Sequence, residues 1–173
     1  DIIRNTTNNG GYAITNFATL YILETKGLVL KDITIVAGEN SGTDKGADTR
    51  YSNCVIYNYK SNQTTIANTT IDGCSWGIWL QNCNDAIIES NKVKNQLITG
   101  IFSFQSPRTT IRNNTVTNAK NHGIDVRHQL GPNAKILNNT VIKSKEGIYL
   151  LHSKGHAVTE NTIINCTISS ITC

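Results

Sequence analysis

The sequence predicts an all-β chain wound as a single-stranded, right-handed parallel β-helix of about seven coils, and three observations carry that prediction. Short aliphatic segments recur at a nearly constant spacing. The composition suits strands joined by many corners, because Ile, Val and Thr favour pleated backbone and Asn tolerates tight turns, while 173 residues include only 2 Pro and no Met. Long stretches of helical periodicity are missing.

The spacing is set by five segments that share one template: TTIANTTI (64–71), AIIESNKV (86–93), TTIRNNTV (109–116), AKILNNTV (134–141) and HAVTENTI (156–163). Their first aliphatic positions are Ile66, Ile88, Ile111, Ile136 and Val158, which lie 22, 23, 25 and 22 residues apart. That period belongs to solenoids. The longest step holds the turn LGPN (130–133). A leucine-rich-repeat horseshoe shares the period but needs a Leu and Asn spacing that these segments lack.

A second template lies between the first: NCVIYN (53–58), GIWLQN (77–82), GIFSFQ (100–105), GIDVRH (123–128) and GIYLLH (147–152). Strand alternation places Cys54/Ile56, Ile78/Leu80, Ile101/Ser103, Ile124/Val126 and Ile148/Leu150 towards the interior. GLVLKDITI (27–35) reads as an earlier, less regular coil. Residues 1–173 therefore form one β-helix domain, with irregular coils over 1–37, a polar loop insert over 38–52 and regular coils over about 53–171.

One repeat is too short to bury its own apolar face, so coils must stack on one another. Stacking about every 4.8 Å turns residues in one template slot into neighbours in space. Asn91, Asn114, Asn139 and Asn161 share a slot, which predicts a ladder of side-chain amides at one corner.

Charge narrows the partners. The net charge of +4 is spread along the chain without a Lys/Arg run, which argues against nucleic acid. No stretch has the roughly 20 apolar residues of a membrane-spanning helix. Six Asn-x-Ser/Thr sequons begin at Asn5, Asn62, Asn68, Asn113, Asn138 and Asn165, as in secreted glycoproteins, although an Asn/Thr-rich chain supplies several by chance. Five cysteines, at 54, 74, 83, 166 and 173, form no C-x-x-C pair, so a structural zinc site is not expected. Register turns Cys54 inward. Cys74 and Cys83 flank one strand and lie too far apart to bridge, and Cys166 and Cys173 share the problem.

The cadence N-N-T-V/I followed by G-I-x-L, over about residues 53–171, resembles the right-handed parallel β-helix superfamily. That superfamily includes pectate lyases, alginate lyases and epimerases, NosD-like periplasmic proteins and bacterial and archaeal surface adhesins. The resemblance implies an exported protein, secreted or at the cell surface. It leaves activity open, because this scaffold carries enzymes, binders and structural proteins alike.

Outward slots then supply candidate functional residues. The third slot of the second template reads Val55, Trp79, Phe102, Asp125, Tyr149, and the fifth reads Tyr57, Gln81, Phe104, Arg127, Leu151. The next slot reads Asn58, Asn82, Gln105, His128, His152, and the slot before the glycine reads Ser52, Trp76, Thr99, His122, Glu146. Register sets His128 beneath His152 and Asp125 beneath Tyr149. Trp79, Phe102 and Phe104, with Gln81, Gln105, His122 and Glu146, make a candidate polysaccharide-binding face, since exposed rings pack against sugar C–H groups. Coverage of those rings by the 38–52 insert or by a partner is the other reading.

Asp125, Arg127, His128, Tyr149 and His152 are candidate catalytic residues for an acidic glycan. Abstracting the proton beside a uronate carboxylate needs a base such as His or Tyr and a cation for the developing charge. Alginate epimerases carry catalysis on a Tyr-Gly-Phe-Asp-Pro-His run; the matching positions here are His122, Gly123, Ile124, Asp125, Val126 and Arg127, which keep the glycine and the aspartate. On the plainer reading Asp125 and Arg127 are a surface ion pair worth under about 1 kcal/mol. His128, His152 and Asp125 include metal-ligating types, and NosD-like proteins are linked to copper, but two stacked histidines lack a third firm ligand, so no metal is assigned. Asp44 and Asp48 in the insert offer a weak calcium site, as acidic loops do in pectate lyases.

The uncapped ends carry the alternative to glycan binding. Open coils stack end to end, which would make the protein a non-catalytic surface subunit or adhesin that self-associates.

Overall fold

The computed structural model describes residues 18–36, 54–129, 134–152 and 154–173. The Asp44/Asp48 calcium site, the whole 38–52 loop insert and the LGPN turn lie outside those residues. Within them the chain passes in turn through one seven-stranded and two six-stranded sheets, and every strand pair is parallel. The long sheet holds Leu20–Leu23, Cys54–Tyr59, Trp76–Gln81, Thr99–Phe104, His122–Arg127, Glu146–Leu151 and Ser169–Thr172. Strands of the other two sheets have three residues each, such as Thr110–Arg112 and Thr115–Thr117. This is the expected parallel β-helix.

Side chains in equal slots stack as the repeat predicts. Ile66, Ile88, Ile111 and Ile136 form one register column and Ile71, Val93, Val116 and Val141 another. Both are fully or almost fully buried and meet the Ile56, Ile78, Ile101, Ile124 and Ile148 column inside one core. The ladders begin before the regular cadence does, because Leu20–Leu23, Val29–Lys31 and Thr34–Val36 pair in register with the next coil.

The asparagine ladder forms between the two short-strand sheets. Asn114 Nδ2 donates to Asn139 Oδ1 at 3.0 Å and to the Ile88 carbonyl at 2.8 Å, while the Asn114 backbone N–H donates to the same Asn139 oxygen at 3.0 Å. Asn91 and Asn139 repeat the pattern on Asn114 and Asn161. Each amide satisfies backbone groups that a sharp corner leaves without ladder partners, which is why a buried polar column is tolerated.

The long sheet departs from strict alternation, and the Cys54–Tyr59 strand aligns two places away from the expected match. Trp76 points out, Gly77 and Ile78 both face inward, and alternation resumes at Trp79. The glycine slot is crowded: a Cβ on Gly123 would lie 2.8 Å from the Gly147 carbonyl and would run into Val141. At the coils that carry glycine here, the missing side chain lets the long sheet approach the third sheet that closely.

In the Cys54–Tyr59 strand Ile56 pairs with Ile78, Cys54 with Trp76, Tyr57 with Trp79 and Tyr59 with Gln81. Alignment by strict alternation misses this by two places for Val55, Tyr57 and Asn58. Val55 stands at the inward slot and Asn58 turns inward beside Leu80. Cys54 is buried, but it belongs to the outer aromatic cluster and not to the core.

Candidate functional site

Three outward slots run up the long sheet, and the polar end of that face gathers the sequence-predicted residues. The first slot reads Cys54, Trp76, Thr99, His122, Glu146 and the second Tyr57, Trp79, Phe102, Asp125, Tyr149. The third reads Tyr59, Gln81, Phe104, Arg127, Leu151. Beyond them a corner slot holds Lys60, Asn82, Gln105, His128 and His152, all left-handed, with φ of 51, 56, 49, 50 and 49°. Trp79, Phe102, Asp125 and Tyr149 therefore do form a single column.

The aromatic end is closed rather than open. Trp79 and Phe102 are only 5% and 6% exposed and Tyr57 only 2%, against the expectation of a bare platform. Rings from adjacent slots cover one another: Trp76 lies 4.8 Å from Trp79 and 5.0 Å from Phe102, and Trp79 meets Tyr57 and Phe102 edge-on at 5.3 Å. The double inward step at the glycine causes this, since it sets the first and second slots side by side. Phe104, Gln81 and Gln105 stay half-buried at the margin.

At the other end Asp125 is fully buried, so its pair with Arg127 is not the surface contact of the plainer reading. Arg127 Nε donates to Asp125 Oδ1 at 2.8 Å and Nη2 donates to Oδ2 at 2.7 Å, a two-pronged grip. His122 Nδ1 lies 3.1 Å from Asp125 Oδ2. Arg127 also lies against the Tyr149 ring at 4.9 Å and the Phe102 ring at 5.7 Å. Burial works against the Arg127 charge, yet the hydrogen bonds and charge of Asp125 outweigh it and hold the guanidinium above its ordinary range. The pair is an enclosed, charge-assisted unit.

His122 was assigned to substrate contact by its slot, and the structure makes it a third member of this unit, packed on Tyr149 with ring centroids 4.6 Å apart. Glu146 pairs in register with His122, and its Oε2 is buried without a hydrogen-bond partner. The buried acid distinguishes this coil in three dimensions; the sequence signal was the change from aromatic to ionisable types in the same slots.

The accessible histidines sit at the corner. The His128 and His152 rings lie 4.8 Å apart, one coil above the other, and Phe104 meets His128 edge-on at 5.5 Å. His128 is half-buried and His152 exposed. Among the described residues no group of three His, Cys, Asp or Glu side chains converges on one point. The five cysteines form no disulfide; burial pushes the Cys83 thiol up to about 11 and raises Cys54 well above the ordinary value. Both therefore stay protonated and poor as metal ligands.

Comparison with curated proteins gave no match, and comparison with solved structures gave none. A family model described as periplasmic copper-binding protein (NosD) matches residues 3–172. With that match running over nearly the whole chain and the stacked coils to support it, the protein belongs to the NosD family of periplasmic β-helix proteins and is exported as they are.

Proposed function

We propose that this chain binds copper as cargo, between the imidazoles of His128 and His152. The observation that carries the reading is the 4.8 Å stacking of two accessible imidazoles at one corner; the family description names the metal. Imidazole suits copper. A pair of donors with no third protein ligand beside it among the described residues makes an open site, suited to taking up a metal and passing it on rather than to holding a resident centre. The left-handed corner fixes both backbones in the same conformation, one coil apart, with the ring planes inclined by 54°.

The test is a copper titration against a competing chelator, on a Cys166→Ser, Cys173→Ser background that removes the less buried thiols. Substituting His128→Gln or His152→Gln is conservative, because Gln105 already occupies the same corner slot. One equivalent of copper should bind, and each variant should weaken it more than about tenfold. Undiminished copper binding by both variants would refute the assignment.

The acidic-glycan reading finds less support on this face. A uronate carboxylate needs a free cation, and Arg127 already grips Asp125 with two nitrogens. A structural subunit joined end to end would use the last strands, where Ile164 and Ile171 are exposed. Light scattering at rising concentration separates that alternative, since a cargo carrier needs no self-association.

A further inference from the structure

Several cations on this β-helix are matched to acids one coil away. Lys94 meets Asp72 at 3.0 Å, Arg108 meets Asp85 at 2.6 Å, Arg112 meets Glu89 at 2.6 Å and Lys60 meets Glu24 at 3.6 Å. Stacking makes this simple, because a slot one coil up is the nearest available neighbour.

One corner instead gathers cations that have no such partner. Between the third sheet and the long sheet, successive coils bring Lys120, Lys143 and Lys145 around a hollow of about 450 Å³. All three lysines are exposed, and among the described residues none has a carboxylate within 4.0 Å. No carboxylate lines the hollow. Asn118, Asn165 and Thr167 supply its neutral polar groups, and Ile168, 64% exposed, supplies an apolar wall. Ser144 also lines it, and its buried hydroxyl has no hydrogen-bond partner.

Three like charges gathered without a counter-charge repel one another, by amounts that water and salt reduce but do not cancel. An anion between them removes the repulsion. The size of the hollow lies in the range of small-ligand sites. Its lining joins cations to amides, a hydroxyl and an apolar surface, which fits a sugar bearing an acidic group better than a bare ion.

We propose that this corner binds an acidic saccharide, with a carboxylate or sulfate among the three lysine ammoniums, sugar hydroxyls on Asn118, Asn165 and Thr167, and a sugar C–H face on Ile168. The site shares no residue with the histidine pair and is independent of the copper reading. It also relocates glycan recognition from the long sheet, where the cation is engaged, to a corner where cations are free.

The experiment is a titration of isotope-labelled protein followed by amide chemical shifts, with trigalacturonate, a sulfated heparin disaccharide, neutral xylotriose, inorganic sulfate and vesicles of anionic phospholipid as probes. Trigalacturonate or the sulfated disaccharide should shift amides within 118–120, 143–145 and 165–168, and their affinity should fall as salt is raised. Xylotriose should leave those amides in place, and sulfate should bind at least tenfold more weakly. A Lys143→Gln, Lys145→Gln variant should lose at least tenfold in affinity with its thermal midpoint unchanged. Absence of shifts at this corner with both acidic saccharides overturns the proposal. So does sulfate binding as tightly as the saccharides, or saturation by the vesicles alone.

Discussion

The aromatic and ionic ends of the long sheet share one backbone and one set of slots, yet they are held together by different physics. Around Trp76, Trp79 and Phe102, rings bury one another and leave little polar area to satisfy. Two coils further on, Asp125, Arg127 and His122 occupy equivalent places and replace ring contact with charge and hydrogen bonds. A β-helix thus fixes where side chains meet and leaves the kind of interaction to each coil. The ring end tolerates a change of shape poorly; the ionic end tolerates a change of charge poorly.

The largest effect should come from the ring end. Truncating Trp79→Ala removes a side chain 5% exposed and contacted by three other rings. Buried aromatic truncations cost about 3–5 kcal/mol, and urea unfolding followed by near-ultraviolet circular dichroism would measure it. A loss below about 1 kcal/mol would mean that the cluster is a cover and not a second core.

At the ionic end, Arg127→Ala leaves the Asp125 carboxylate buried with only His122 beside it. Breaking such a pair costs about 3 kcal/mol or more. Replacing both partners with the residues found one coil earlier, as Asp125→Phe with Arg127→Phe, should restore stability to the wild-type level or above, because well-packed apolar residues often match a buried pair. Failure of the double variant to recover would show that the two ends are not interchangeable frames.

The smallest effect is set by pH. All 4 histidines of the chain, at 122, 128, 152 and 156, lie at the ionic end. Burial lowers the His156 pKa from its ordinary value, and its Nδ1 accepts the Ala134 N–H at 3.1 Å, a bond that the neutral imidazole makes. Folded His156 therefore resists a proton that the unfolded chain accepts. Stability is lost as pH falls from the ordinary imidazole value of about 6.5 towards the lower folded one. Hydrogen exchange should loosen the strands near residues 134–159 on acidification and leave Trp76–Gln81 protected. His156→Gln should flatten the response.

The coil period, the inward Ile and Val columns and the amide ladder were all legible in the sequence, because each depends only on equal arc length between repeats. So was the column Trp79, Phe102, Asp125, Tyr149, and the placing of His128 beneath His152. The offset at Cys54 was not, since that strand has Val55 where later coils have glycine, and the inward double step cannot be inferred from alternation. Exposure was misread for the same reason: slots counted as separate stripes lie side by side once the backbone steps inward.

The amino-acid order alone determined that this chain winds into stacked parallel coils, because a fixed spacing of apolar residues has a single way to bury them all. Three-dimensional packing decided which outward groups are covered and which are free. Arg127 closes on Asp125, the tryptophans close on each other, and three lysines from two successive coils converge on one hollow. Such pairings depend on the distances between side chains across neighbouring slots, and spacing along the chain does not encode those distances.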